Sequence, residues 1–334
     1  MEENDRMPRG RVWNRAQELR SGGQALALLA APLNVEILRA LEDEVLNLLE
    51  LRQAVGSPPQ STMRLYTRTL ADLGILERRR RNEFPATAEY SLTPAGHSLI
   101  ALAEILESWL QAAPHGPLTI GSVAAKSATK ALVGGWSANI VRALAAQPLT
   151  LTELNILIPK ISYPSLERRL GAMRLVNLIE AQPSNGRGVP YQATPWLHQS
   201  VLPLTAAIAW EQRHLREAEA KFGGIDAEAV FLLAIPLLSL ESEVTGKCRL
   251  SVEVRGGAEP GFAGVVVGVE EGEIVSCTAR LKGASEASVS GTPGAWIRQV
   301  AGATEPHLEM SGDFALARAL VEAIQALSPA PVRN

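Results

Sequence analysis

Arg64 and Arg68 stand one helical turn apart in the stretch Ser57–Thr93, SPPQSTMRLYTRTLADLGILERRRRNEFPATAEYSLT. A guanidinium presents its donors as a fixed fork, which matches the O6/N7 edge of guanine and the oxygens of a phosphate. Gln60 and Ser61 precede them on the same helix face, and the Gln60 amide can pair with adenine. Arg78–Arg81 follow as four consecutive cations. Along a strand their side chains alternate, so only two of the four can share the wing's DNA-facing side. Phosphate contact is the functional reading of the row, with Arg79 and Arg80, one from each side, as the candidates. A solvated helix face and a charged edge strand that deters aggregation are the plainer readings of the same residues.

The surrounding residues must position these groups. Pro58-Pro59 breaks the chain, and Ser57 or Ser61 can cap the next helix. Met63, Tyr66, Leu70 and Leu73 recur at 3-4-3 spacing, so one helix face is buried. Gln60, Ser61, Arg64, Leu65 and Arg68 then point away from it. Gly74 suits a left-handed C-cap. A basic strand, a turn with Asn82 and Pro85, a return strand over Ala88–Leu92 and a new helix at Pro94 complete the layout. This is a winged helix-turn-helix, whose helix enters a DNA major groove.

The plan occurs twice. Ile37-Leu38-Arg39-Ala40-Leu41 matches Ile140-Val141-Arg142-Ala143-Leu144 at an offset of 103, and Thr93-Pro94 matches Thr194-Pro195 at 101. A shared offset with one change at a turn points to a duplicated domain. In the second copy Glu167 replaces Arg64, Arg168 replaces Leu65 and Gly171 replaces Arg68. Arg168, Arg169 and Arg187 restore positive charge and are the candidates for DNA contact there. The alternative is a structural partner for the first copy. A single long helix is expected from about Pro195 to Phe222.

After Gly223-Gly224 the period becomes two. Cys248, Leu250, Val252 and Val254 share one face of a strand, Val265, Val267 and Val269 another, and Val275, Cys277, Ala279 and Leu281 a third. These strands form an antiparallel sheet with one buried face. Helices over Ser290–Gly302 and Phe314–Leu327 pack on it. The fold class expected is mainly α with wings, as two winged helix-turn-helix domains, plus a C-terminal α+β antiparallel-sheet domain. The domains span 24–113, 118–222 and 226–328.

Composition sets the limits. The 334 residues are 46% hydrophobic and 20% charged, which suits a soluble globular chain with two or three domains. The formal net charge of −3 hides an uneven spread: residues 111–222 carry 11 basic and 6 acidic side chains, residues 223–334 carry 8 and 14. Nucleic-acid binding needs a local basic face, so the total does not exclude it. The apolar runs are too short to span a bilayer, and the N-terminus lacks a signal-peptide core, so the cytoplasm is expected. Two cysteines and five scattered histidines give no metal-ligand spacing. No catalytic grouping stands out, so neither enzyme nor cofactor is expected.

Two resemblances add to this reading. The first copy resembles the HxlR branch of bacterial winged-helix regulators, through L-x-x-L-G-I-L-E-R before the wing, E-Y-S-L-T-P-A-G at Glu89–Gly96 and Trp109 closing the last helix. The second copy keeps part of the pattern, at Ser165–Leu175 and Tyr191–Trp196, with Asn177 in place of the glycine. The resemblance implies duplex DNA as partner. It also implies dimers, so two copies in one chain suggest a monomer acting as a pseudo-dimer, or a homodimer. The C-terminal part resembles the sterol carrier protein family at Ser288–Ile297 (S-V-S-G-T-P-G-A-W-I) and Leu308–Ala317 (L-E-M-S-G-D-F-A-L-A). That implies an apolar cavity for a hydrophobic effector, lined by Phe231, Phe262, Val265, Val267, Trp296 and Phe314, each of which also fits an ordinary core. The expected function is a ligand-responsive transcriptional regulator. Its rivals are a hydrophobic-ligand carrier whose winged helices bind protein, and an enzyme that uses the C-terminal cavity.

Overall fold

The computed structural model describes residues 21–80, 88–134, 136–158, 161–183, 188–215, 224–255, 260–279, 281, 283–300 and 308–327. The helix expected around Val12–Leu19, and Arg81, Asn82 and Pro85 of the first wing, lie outside them. The chain begins with α1 (Gly23–Leu29), α2 (Pro32–Ala40), β1 (Leu46–Asn47), α3 (Leu48–Ala54), α4 (Gln60–Asp72), β2 (Leu76–Arg80), β3 (Ala88–Leu92) and α5 (Pro94–Gln111). Each boundary has a local cause. Pro32 opens α2, where its missing N–H is no loss. Asn47 and Glu50 form a capping box on α3. Gly74 stops α4 at a φ of 71°, and the Thr93 hydroxyl caps α5. The antiparallel sheet has the order β1-β3-β2.

The chain continues with α6 (Val123–Val133), α7 (Ser137–Ala146), β4 (Leu149–Thr150), α8 (Leu151–Leu157), α9 (Tyr163–Leu175), β5 (Ile179–Ala181), β6 (Pro190–Ala193), α10 (Pro195–Gln199) and α11 (Val201–His214). From α7 onward the element order repeats that of the first stretch from α2, and the sheet order β4-β6-β5 repeats β1-β3-β2. Local devices recur as well. Thr150 and Glu153 form a capping box 103 residues after Asn47 and Glu50. Asn177 takes the left-handed conformation of Gly74, at a φ of 60°, which asparagine tolerates better than most residues. The Thr194 hydroxyl bonds the carbonyls of Asn177 and Leu178, as Thr93 bonds those of Gly74 and Ile75.

Two expectations need correction. Helix α6 has no counterpart in the sequence reading. The long helix from Pro195 is two helices, broken at the buried Ser200, and the described part ends at His214 with Leu215 extended. Pro203 explains the break: it has no N–H to give the Gln199 carbonyl, and its ring would crowd that oxygen in a continuous helix. Ala218, Phe222 and the Glu217–Lys221 pair lie outside the described residues.

Helices α5 and α11 pack together. The Trp109 indole donates to the Trp196 carbonyl at 3.0 Å, and the Trp210 indole to the Ala95 carbonyl at 2.9 Å. Both members of the second bond are related to those of the first by the same 101-residue offset, in exchanged roles. Such reciprocity is what a local twofold produces. Trp109 and Trp196 stack at 4.5 Å between ring centres, and Trp196 returns a bond to the Trp109 carbonyl at 2.8 Å. Nearby, the buried Glu211 carboxylate accepts from the amides of Gly22, Gln24 and Ala25 at 2.7–2.9 Å. It thereby caps the positive end of α1.

The last part holds α12 (Gly224–Ala234), a 3-10 turn (Ile235–Leu237), β7 (Gly246–Arg255), β8 (Pro260–Glu270), β9 (Glu273–Thr278), β10 (Ala287–Gly291), α13 (Pro293–Val300), β11 (Glu309–Gly312) and α14 (Phe314–Ala326). The five-stranded sheet has the order β11-β10-β7-β8-β9. Its pairs are antiparallel except one: β10 runs parallel to β7. The chain leaves β9 at one edge and crosses to the far side of β7, which sets that direction. The alternation expected for β9 also fails. Gly268 pairs with Ser276 and Val269 with Ile274, so Val275 is an extra residue that bulges outward, while Ile274 and Cys277 are half-buried. Helix α12 was not foreseen. It is buried on nearly every side, from Asp226 to Ala234 with only Glu228 partly open, and it lies between α7 and β8. A helix apolar all round belongs in an interior.

Candidate nucleic-acid interface

Met63, Thr67 and Leu70 bury one face of α4, and the Thr67 hydroxyl folds back onto the Met63 carbonyl. Gln60, Ser61, Arg64, Leu65 and Arg68 are all exposed on the rest of its surface. Arg68 lies 3.7 Å from Asp72, an open pair of little strength. Arg64 has no ion-pair partner among the described residues. Leu65 sits between the two arginines and faces outward with them, as its spacing predicts. A large apolar side chain held in solvent among cations matches a thymine methyl in the major groove.

The wing divides its arginines. Arg79 forks onto Glu77 with bonds of 2.9 and 3.1 Å, and Glu89 lies opposite it on β3. The bond to Glu77 and its charge push the Arg79 guanidinium further toward the protonated form. Arg79 is thus partly neutralised where it stands. Arg78 and Arg80 share the other side of β2, exposed and without an ion pair among the described residues. Of the expected pair Arg79 and Arg80, Arg80 is therefore the freer cation, and Arg78 joins it.

The equivalent surface of the second stretch differs. Glu167, Arg168 and Arg174 are exposed on α9. Arg169 is half-buried, and its Nε is enclosed without a hydrogen-bond partner among the described residues, so it leaves the open face. Arg187 lies outside the described residues. Large apolar side chains stand in solvent instead: Ile156 at 72% exposure, Leu157 at 57%, Tyr163 at 46% and Leu175 at 85%. At the 103-residue offset these positions are Gln53, Ala54, Gln60 and Asp72 in the first stretch. The first stretch exposes Val45, Leu49 and Leu65 in return.

The candidate ligand residues do not form one site. Phe231 and Trp296 meet edge to face at 4.8 Å, and the Trp296 indole donates to the Ser251 carbonyl. The cavity they border, with Ile208 and Val252, measures about 20 Å³, room for one water. Val265 and Val267 are fully buried in the sheet. Phe262 and Phe314 are exposed. Phe314 borders an open groove of about 780 Å³ between α14 and residues 239–245, where Leu240, Val244, Leu316 and Glu322 also line the walls. Burial pushes the thiols of Cys248 and Cys277 up to about 12.

The comparison that decides the first stretch concerns residues 29–115, which match the family described as HxlR-like helix-turn-helix. These residues are an HxlR-like helix-turn-helix domain. Three solved structures are similar to parts of the chain. YodB from B. subtilis, in its diamide-treated form, is 22% identical over 30% of this chain and 95% of its own, at a TM-score of 0.26. The ytfH protein from Salmonella typhimurium is 27% identical over 26% and 79%, at 0.24. A protein assigned to the MarR family of transcriptional regulators, from Enterococcus faecalis V583, is 22% identical over 30% and 90%, at 0.26. No curated protein matches the chain. Both cysteines of this chain lie outside the HxlR-like residues. No helix among the described residues is long and apolar enough to cross a membrane.

Proposed function

We propose that this chain is a transcriptional regulator whose first winged helix, residues 24–113, reads duplex DNA. The observation that carries the reading is the exposed row Gln60, Ser61, Arg64, Leu65 and Arg68 on the second helix of an HxlR-like helix-turn-helix. In this reading α4 enters a major groove. Arg64 and Arg68 contact guanine or phosphate, Leu65 meets a thymine methyl, and Arg78 and Arg80 reach the backbone. Residues 118–222 act as a second winged helix, joined to the first by the reciprocal tryptophan bonds, so that one chain is a pseudo-dimer. Residues 226–328 act as a sterol-carrier-like domain that holds a hydrophobic effector. The groove beside Phe314 has the volume that small-molecule sites have; the closed core around Trp296 does not.

Gel-shift titration against duplex DNA from the region upstream of the chain's own reading frame tests the reading. Arg64→Ala with Arg68→Ala should weaken binding by about 1–3 kcal/mol per lost base contact, and Arg168→Ala should cost less. The reverse order, or a flat response to salt, would defeat it, since phosphate contact makes affinity fall steeply with ionic strength. For the effector, native mass spectrometry with a fatty acid should show a complex that Phe314→Asp loses. An undiminished complex in that variant would remove the groove from the proposal.

A further inference from the structure

We infer that the helix-turn-helix face of the second winged helix, on α8 and α9, is a self-association surface that joins two copies of this chain. The face carries Ile156, Leu157 and Tyr163 at its corner and Leu175 at the end of α9, all open to solvent. Ile156, Leu157 and Tyr163 stand close together in the chain, and exposed apolar side chains that lie together mark an interaction surface more than scattered ones do. The exchange runs both ways, since Leu49 and Leu65 of the first face become Thr152 and Arg168, but more large apolar residues are exposed on the second. Where the first winged helix has Gln53, Ala54, Gln60 and Asp72, the second has Ile156, Leu157, Tyr163 and Leu175, and where the first has Arg64 and Arg68 it has Glu167 and Gly171. Arg168 and Arg174 keep part of the positive charge, and exposed apolar side chains stand beside them.

Charge identifies the occupant. Residues 48–80 carry six basic and three acidic side chains, whereas the equivalent residues 151–183 carry four and three. A nearly balanced face attracts DNA, or any strongly charged protein, less than the first face does. It suits a copy of itself, because a twofold contact sets each residue against a different residue of the same patch, and Glu167 next to Arg168 supplies both signs. The α5 and α11 faces are already joined within the chain, so they are not open for this purpose. Dimerisation through α8 and α9 would also pair two first winged helices, one per chain, and helix-turn-helix operators commonly come as two half-sites. That last point rests on the DNA reading proposed above; the surface itself does not.

Sedimentation equilibrium on the full chain without DNA tests the inference. The wild type should pass from monomer to dimer with rising concentration. A variant given the first copy's residues, Ile156→Gln with Leu157→Ala and Tyr163→Gln, should remain monomeric. Leu157→Glu alone should do the same by placing charge in the contact, whereas Leu49→Glu on the first winged helix should leave the dimer unchanged. All these positions are exposed, and a thermal melt confirms that each variant is folded. A wild type that stays monomeric, a dimer that survives both changes at the face, or equal loss with Leu49→Glu overturns the inference. So does loss of duplex affinity in the triple variant of a chain that never dimerises, which would assign the face to DNA. Failure of the DNA reading appears only in the Arg64 and Arg68 gel shifts and leaves the sedimentation result standing.

Discussion

Arg64 and Arg79 carry the same charge and differ in what they can do with it. Arg79 already spends two donors on Glu77, so a phosphate must displace a carboxylate to reach them. Arg64 has no ion pair among the described residues to give up. The same contrast of setting governs the cysteines. With thiols raised to about 12 by burial, Cys248 and Cys277 hold almost no thiolate at about pH 8, and thiolate is the reactive form. An aromatic disulfide reagent should therefore label neither in the native chain and both on denaturation; a fast native phase would contradict this. His198 is the third case. It is largely buried on α10 beside the Leu233 carbonyl, and burial lowers its pKa below 6.5 while the Leu233 and Leu232 carbonyls partly oppose the shift. The unfolded chain thus binds a proton that the folded chain refuses. The contribution to stability is complete above the unfolded pKa and is lost as pH falls through and below 6.5. Between about pH 7 and pH 5 the melting temperature should drop more in the wild type than in His198→Gln. Equal slopes would show that the histidine is not the group responsible.

At the scale of elements, two glycines answer different demands. Gly74 turns the chain from α4 into the wing in the left-handed region, so Gly74→Ala should cost about 1–2 kcal/mol in chemical denaturation. Asn177→Gly, at the equivalent turn, should be neutral or slightly stabilising, because asparagine already accepts that conformation under mild strain. A loss of stability in Asn177→Gly would mean that the asparagine side chain, not the turn, is what matters there. Gly264 is stricter. A Cβ there would lie 2.0 Å from the Leu250 carbonyl oxygen, on the neighbouring strand. Neither strand can move without breaking its ladder, so Gly264→Ala should abolish folding of the sheet. A soluble variant with a native circular dichroism spectrum would refute that.

At the scale of the molecule, α12 is the element on which the parts depend. It buries one side against α7 and the other against β8, and Arg142 of α7 pairs with its Glu228. The domain boundary placed at 222–226 by sequence therefore runs beside a shared core rather than a free linker. A chain cut after residue 223 should expose the α7 face, lose cooperativity in calorimetry and aggregate. A fragment that melts at the temperature of the full chain would show that the preceding elements stand without α12.

How much was legible follows from the range of each interaction. The first winged helix was legible almost to the residue, including β3 at Ala88–Leu92 and the outward row on α4, because its signals are local: apolar spacing, two prolines, a glycine stop. The matches at offsets of 103 and 101 residues were visible because they need only comparison of the chain with itself. The parallel β7–β10 pair, the bulge at Val275 and the central place of α12 were not, since each depends on which distant segment lies alongside. The run Val230–Leu238 looked merely apolar, and only its two neighbours make it a core helix. Likewise Phe231 and Trp296 had the composition of a ligand cavity, and their packing left space for about one water. Sequence by itself determined the local elements and their order, because turns and helix faces are settled within a few residues. The tertiary structure decided which arginines are free, which apolar residues are exposed and where space remains, because pairing and burial are set by residues far apart in the chain.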